Sequence, residues 1–209
     1  MERHHSAERH LYPEVIDTFQ QIKEEHPGVI IGAVTDGKAN PLLMTFTLAK
    51  HFDFCMNWED DQAGRKQFFT DLSNVEKDAD LKWIYNATKE KGSELIKAAA
   101  LLRGEDYPND DVEEVWIHVG DDLALDVGGS ATVGAKTILA ELEDKEYAQT
   151  ARHRFDQDAD TQPIWSSTPM QELEKRKVMN KQAEDLIDEK VTFVNHIPEA
   201  INNILEKED

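Results

Sequence analysis

Cysteine and long apolar runs are scarce in this sequence, and each absence excludes a class of protein. Cys55 is the only cysteine among 209 residues, so no disulfide can form within the chain and a reducing compartment is expected. No apolar run approaches the roughly 18 residues that a transmembrane helix needs. The first ten residues, MERHHSAERH, lack the apolar segment of a signal peptide. We therefore predict a cytoplasmic protein with no membrane partner.

Positive charge is also in short supply. The chain has 23 basic against 43 acidic residues, which gives a formal net charge of −20. So negative a surface repels the phosphates of nucleic acid and of anionic lipid, and we expect no nucleic-acid partner. A small phosphorylated molecule is still an admissible ligand, because one or two local positive groups are enough to bind it.

What the sequence does contain is an alternation of helical and strand patterns. The runs VIIGAVT (29–35), FDFCMN (52–57), VEEVWIHVG (112–120) and AKTILA (135–140) predict buried strands, with helical patterns between them. Such alternation is typical of an α/β fold with a Rossmann-like parallel sheet and helices on both faces. Residues 141–190 are strongly charged and are interpreted as an insertion, partly loop and partly solvated helix.

Acidic side chains crowd the turn after the third of these strands, in the segment HVGDDLALDVGG. Asp121, Asp122 and Asp126 would repel one another unless a cation lay between them. A hard divalent cation such as Mg²⁺, held by carboxylates, waters and a substrate phosphate, is one interpretation. The alternative is that Asp121 caps the next helix and the other two acids face water.

A second polar turn follows the first strand, in the segment VTDGKAN. Thr35 ends the strand, and Asp36 and Gly37 follow it, so that a hydroxyl and backbone N–H groups could form a small anion cradle. The alternative is an ordinary strand-to-helix turn in which Thr35 or Asn40 caps the helix. Both polar turns follow buried strands, and we expect them at the same rim of the sheet.

Glycines near residue 130 imitate a phosphate-binding P-loop without matching it. Gly129 and Gly134 have the required spacing, but Ala135 intervenes before Lys136. These glycines also flank a short helix instead of joining a strand to a helix N-terminus. We therefore do not expect a nucleotide loop here.

Taken together, these segments resemble the haloacid dehalogenase-like hydrolase superfamily. LYPEVIDTFQQIKEEHPGVIIGAVTDG resembles the family's segment that ends its second core strand in a phosphate-binding hydroxyl, here Thr35. WIHVGDDLALDVGGSATVGAKTILA resembles its acidic motif, with Asp121 and Asp126 as the best matches. VTFVNHIPEAINNIL is similar to the closing strand and helix. The resemblance places the family's lysine at Lys66, with Lys82 as the alternative.

The N-terminus departs from this family. Its members open with a central strand ending in Asp-x-Asp-x-Thr, whose first Asp attacks phosphorus, and no such motif occurs here. The segment RFDQDADTQP comes nearest, but it has Asp160 where Thr is required. Loss of that strand would leave two neighbouring strand edges unpaired. By this resemblance, residues 11–209 form a core domain with its charged insertion, and residues 1–10 are a remnant of a cap or a disordered tail.

The resemblance implies a phosphatase that acts on a small phosphorylated metabolite with Mg²⁺ held by Asp121, Asp122 and Asp126. Lys66 would neutralise a phosphate oxygen and Thr35 would bind another. Without its nucleophile, the chain as written is expected to be inactive, as the C-terminal portion of a longer phosphatase whose N-terminal segment completes the sheet. The alternative is a non-catalytic relative that binds a partner protein through its acidic insertion.

Overall fold

The computed structural model describes residues 11–35, 46–57, 77–104, 114–142 and 170–208. The chain divides into two compact units, Met1–Glu114 and Val115–Asp209. The single core domain over 11–209 that the resemblance implies stays a prediction. Each unit contains its own parallel sheet, and the predicted α/β class is thereby confirmed. No helix in the described ranges combines the length and the apolarity needed to cross a membrane.

The described part of the first unit contains two parallel strands and three helices. Its elements are α1 (Val15–Glu25), β1 (Gly32–Val34), α2 (Phe46–Ala49), β2 (Phe54–Met56) and α3 (Lys77–Arg103). Strands β1 and β2 pair in register, with Gly32 opposite Phe54. A Cβ atom on Gly32 would lie 2.2 Å from Cζ of Phe54, so only glycine leaves room for that ring. Helix α3 runs without interruption through Gly92.

Helix α1 is joined to the segment before β2 by polar and aromatic contacts. The Asp53 carboxylate accepts a hydrogen bond from the Ile31 N–H (2.8 Å) and lies 3.5 Å from Nζ of Lys23. The Phe19 ring stacks on His51, with ring centroids 5.8 Å apart, and meets Phe52 edge-on. These contacts bury His51 to 7% exposure.

The second unit is built on three parallel strands in the order β3-β4-β5. Its longer elements are β3 (Ile117–Gly120), a π-helix (Leu123–Gly129), β4 (Lys136–Ala140), α4 (Met170–Ala183), β5 (Glu189–Val191) and α5 (Ile197–Glu208). Two single 3₁₀ turns, Glu184–Leu186 and Val194–His196, flank β5. The predicted strands 112–120 and 135–140 are therefore present, although the first begins five residues later than predicted.

Both faces of the central strand β4 are covered, because successive side chains of a strand point to opposite sides. Ile138 packs with Val191 and Ile204 in a cluster under α5. Leu139, on the opposite face, packs with Val127 of the π-helix and Ala183 of α4. This sheet therefore has helices on both faces, as the sequence predicts.

The segment 141–190, interpreted from sequence as an insertion of loop and solvated helix, includes a helix that packs on the sheet. Helix α4 occupies its C-terminal part, and residues 143–169 lie outside the described residues. Ala183 is 1% and Arg176 is 9% exposed, so one side of α4 is buried. Helix α4 ends at Ala183, and Glu189 at the end of this segment already belongs to β5.

Candidate functional site

Three acidic residues lie together where β3 ends, as predicted, and we call Asp121, Asp122 and Asp126 the acid corner. Asp121 and Asp122 follow Gly120, the last residue of β3, and Asp126 lies in the π-helix. In the π-helix the N–H of Val127 donates to the carbonyl of Asp122 (3.2 Å), which widens the turn relative to an α-helix. The widened turn returns Asp126 to the end of the strand.

Gly120 is the residue that admits Asp126. A Cβ atom at position 120 would lie 2.2 Å from Oδ2 and 2.4 Å from Cβ of Asp126. Rotation of the Asp126 side chain could move its oxygen but not its Cβ, so any larger residue at 120 requires a backbone shift. The glycine of the Gly-Asp-Asp sequence is thus explained by close approach.

Asp122 caps the π-helix. Its Oδ1 accepts a hydrogen bond from the N–H of Leu125 at 2.8 Å, and its backbone is extended, as at an N-cap. The capping alternative is therefore realised, but by Asp122 and not by Asp121, which is exposed. The reason is geometric, because the chain turns into the π-helix one residue later than the sequence pattern suggests.

The second oxygen of Asp122 forms an ion pair with Arg176 of α4. Nη2 of Arg176 contacts Oδ2 of Asp122, and the two side chains are only 10% and 16% exposed. Arg176 is 54 residues further along the chain, yet α4 packs on the π-helix and brings the guanidinium to the acid corner. Positive charge is therefore supplied to the acid corner by the protein itself.

Asp126 is held from two sides. Its Oδ2 accepts a hydrogen bond from the N–H of Asp122 at 2.9 Å. Its Oδ1 lies 3.6 Å from Nε2 of His118, a strand residue whose side chain is 11% exposed. Trp116 meets the His118 ring edge-on, with centroids 6.2 Å apart. Both carboxylate oxygens of Asp122 and Oδ2 of Asp126 thus accept hydrogen bonds from protein donors, and Oδ1 of Asp126 lies beside the His118 ring.

Burial at the acid corner raises the pKa of two of its carboxyls. Desolvation, followed by repulsion from the Asp126 carboxylate, raises the pKa of Asp121 above its ordinary 3.8. Desolvation likewise raises the pKa of Asp122, although the hydrogen bond from Leu125 and the charge of Arg176 oppose the rise. For both acids, desolvation makes the ionised form less favourable than in water, and the hydrogen bonds and charges that stabilise the ionised form offset this only in part.

These residues do not fit Mg²⁺ as they are arranged. Magnesium is bound by carboxylate oxygens that keep room for waters in an octahedral shell. Here two backbone N–H groups and the Arg176 guanidinium occupy three of the four oxygens of Asp122 and Asp126, and the guanidinium's positive charge would repel a second cation. Within the described ranges no three His, Cys, Asp or Glu side chains are grouped to hold a metal ion. Magnesium binding by the acid corner stays a prediction.

The predicted phosphate-binding residues belong to the first unit or lie outside the described residues. Thr35 follows β1, half-buried, and its N–H continues the ladder to the carbonyl of Met56 at 3.0 Å. Lys82 belongs to α3. Asp36, Gly37 and Lys66 are outside the described residues. The predicted anion cradle therefore stays a prediction.

Lys136, the lysine of the P-loop-like sequence, is paired elsewhere. Its Nζ lies 2.5 Å from Oε1 of Glu208 in α5, and this hydrogen bond raises the pKa of the lysine. Gly134 has a φ of 88° in the turn before β4. A turn that requires glycine and a lysine bonded to a glutamate account for this segment without a nucleotide.

The sequence did not identify two residues that lie against the acid corner, His118 and Arg176. His118 had a usable signal, because it is a polar residue inside a buried-strand pattern that ends at the acids. Arg176 had no such signal, because it is distant in sequence from the acids and lies in a charged helix without marked apolar periodicity.

Comparison with family models, with curated proteins and with solved structures finds no match to the chain.

Proposed function

We propose that this chain is a haloacid dehalogenase-like protein that does not carry out phosphoryl transfer as it stands and acts by binding a partner. One observation carries the proposal: three of the four carboxylate oxygens of Asp122 and Asp126 already accept hydrogen bonds from protein donors. Carboxylates engaged in this way are not available to hold a metal ion against a substrate phosphate. The single Cys55 supports placing the protein in the cytoplasm.

The family assignment is supported by how the strands pair. The resemblance implies a central strand beside β3, and its loss would leave β3 at an edge of its sheet. The described residues form two separate parallel sheets, β1-β2 and β3-β4-β5, with β3 at an end of its sheet. The acid corner follows β3, as the acidic motif of the family follows a strand. Strands β4 and β5 come next both along the chain and across the sheet, and β5 leads into the closing helix α5.

The absence of phosphoryl transfer is supported by the sequence. In this family an Asp of the Asp-x-Asp-x-Thr motif attacks phosphorus, and the 209 residues do not contain that motif. The resemblance gives Lys66 and Thr35 contacts to phosphate oxygens and gives neither of them the role of the nucleophile. A protein with this site would bind and not turn over.

Partner binding is supported by charge. The net charge of −20 favours a basic partner, because opposite potentials speed association and suppress wrong partners. The segment 141–190 has 13 acidic against 8 basic residues, and this excess lies outside α4, whose exposed charges include three lysines. We assign the contact with a basic protein partner to this segment.

A second candidate is a Mg²⁺-dependent hydrolase of small phosphorylated metabolites, completed by an additional strand. Asp121 favours it, because this exposed carboxyl at the end of β3 has a raised pKa, as groups at functional sites often do. In this candidate the added strand supplies the nucleophile, and Thr35 and Lys66 bind the phosphate.

Phosphate release from the chain alone tests the proposed absence of turnover. Purified chain is incubated with p-nitrophenyl phosphate, with and without MgCl₂, beside an Asp126→Asn variant as a matched control. We expect the same background release from both proteins under both conditions. Magnesium-dependent release that Asp126→Asn abolishes would contradict the proposal, because the chain would then turn over a phosphate ester without an added strand.

A further inference from the structure

A buried guanidinium lies at the acid corner, where the resemblance would put a metal ion. Arg176 is 9% exposed, and it reaches the corner from α4, an element that sequence analysis interpreted as part of a solvated insertion. Its partner Asp122 is fixed from the other side by the N–H of Leu125 at 2.8 Å. The ion pair therefore joins α4 to the loop that follows β3.

We propose that Arg176 is the permanent counter-cation of the acid corner and that it latches α4 onto the π-helix in place of a divalent ion. This inference rests on the proposed function, because it names the residue that keeps a metal ion out of the same site. It uses only contacts within the second unit. Arg176 is a positioning residue in this account.

Packing beside the ion pair supports a latch. Ala183, at the end of α4, is buried with Val127 and Leu139. A Cβ atom on Gly128 would lie 3.3 Å from Cβ of Ala183, so helix and turn are in close contact there. The apolar contact at Ala183 and the ion pair at Arg176 hold α4 at two points, two turns apart along the helix.

Electrostatics explains why an arginine suits this position. Removing one member of a largely buried ion pair leaves an uncompensated charge, which is strongly destabilising. The acid corner has three carboxyls close together, so loss of the guanidinium would leave like charges facing one another. Helix α4 should therefore release, or the π-helix should open, when Arg176 loses its charge.

Amide hydrogen exchange of the peptide 121–130 in the full-length chain tests the latch. Arg176→Met should accelerate exchange at least about tenfold, because it leaves the Asp122 charge without its partner. A tenfold change corresponds to about 1.4 kcal/mol in the free energy of local opening. Asp122→Asn keeps the cap on Leu125 but loses the charge, and should have a similar effect. The double variant should be no worse than either single variant, as expected for two ends of one interaction. Lys181→Met, an exposed cation of the same helix, should leave the rate within about threefold.

Magnesium chloride tests the same inference on the unaltered chain, so the test does not depend on whether a variant folds. We expect exchange of the peptide 121–130 to be the same in MgCl₂ as in NaCl of equal ionic strength. A saturable slowing by Mg²⁺ that Asp122→Asn removes would overturn the inference, as would additive effects in the double variant. Phosphate release tests the proposed function separately, because hydrogen exchange reports on the ion pair and phosphate release reports on turnover.

Discussion

The Cβ atom of Asp126 lies 2.4 Å from the place where a Cβ atom on Gly120 would be. This close approach brings the Asp126 carboxylate onto the N–H of Asp122, and Asp122 in turn caps the π-helix and pairs with Arg176. The strand end, the π-helix and α4 are thus linked through one glycine.

Replacement of that glycine should weaken the second unit. Gly120→Ala forces the backbone at Asp126 to move, and we expect a loss of about 1–3 kcal/mol in the free energy of unfolding. Gly92→Ala is the matched control, because a Cβ atom at Gly92 in α3 meets nothing within 4 Å. That control should gain about 0.5–1 kcal/mol from helix propensity. Urea unfolding measures both, and equal effects would contradict the steric account.

The core under α5 should be sensitive to truncation. Ile204 is 2% exposed and packs against Ile138 and Val191, so Ile204→Ala should cost about 2–5 kcal/mol. Val178, on α4, is 57% exposed, and Val178→Ala should change stability by no more than about 0.5 kcal/mol. Comparable losses for the two substitutions, measured by urea unfolding, would show that α5 does not cover the sheet.

Removal of the Asp121 charge should stabilise the second unit at neutral pH. Desolvation and the neighbouring Asp126 raise the pKa of Asp121, so the folded state binds more protons than the unfolded state above pH 3.8. Stability therefore falls as pH rises from 3.8 through the raised pKa. Asp121→Asn should remove this loss, with a gain at pH 7 of up to about 0.5 kcal/mol. Below pH 3.8 the variant and the parent should converge, and a constant difference at all pH values would refute the assignment.

The first unit should lose stability in mild acid through His51. This side chain is 7% exposed, and desolvation, followed by the charges of Lys50 and Lys23, lowers its pKa. The unfolded state then binds the proton more readily, so the contribution is fully present above pH 6.5 and is lost as pH falls towards the lowered pKa. Urea midpoints between pH 7 and pH 5 measure the loss, and His51→Gln should reduce it. An unchanged slope in His51→Gln would assign the loss to other groups.

The sequence predicts the strands of this fold better than it predicts the connections between them. The runs ending at Val34 and Gly120 are rich in apolar and β-branched residues, and this composition alone predicts buried strands of an α/β fold. Asp121 and Asp122 could not be assigned separate roles, because the cap depends on where the backbone turns. Arg176 could not be found, since its position depends on the packing of α4 through Ala183, a single small residue in a charged helix.

Crystals soaked in MnCl₂ test most directly whether Arg176, and not a divalent ion, is the cation of the acid corner. Mn²⁺ has the ligand preferences of Mg²⁺ and gives an anomalous signal. We predict electron density for the Arg176 guanidinium against Asp122 and no anomalous peak at Asp121, Asp122 or Asp126. An anomalous peak ligated by these carboxylates, with Arg176 displaced from Asp122, would contradict the account.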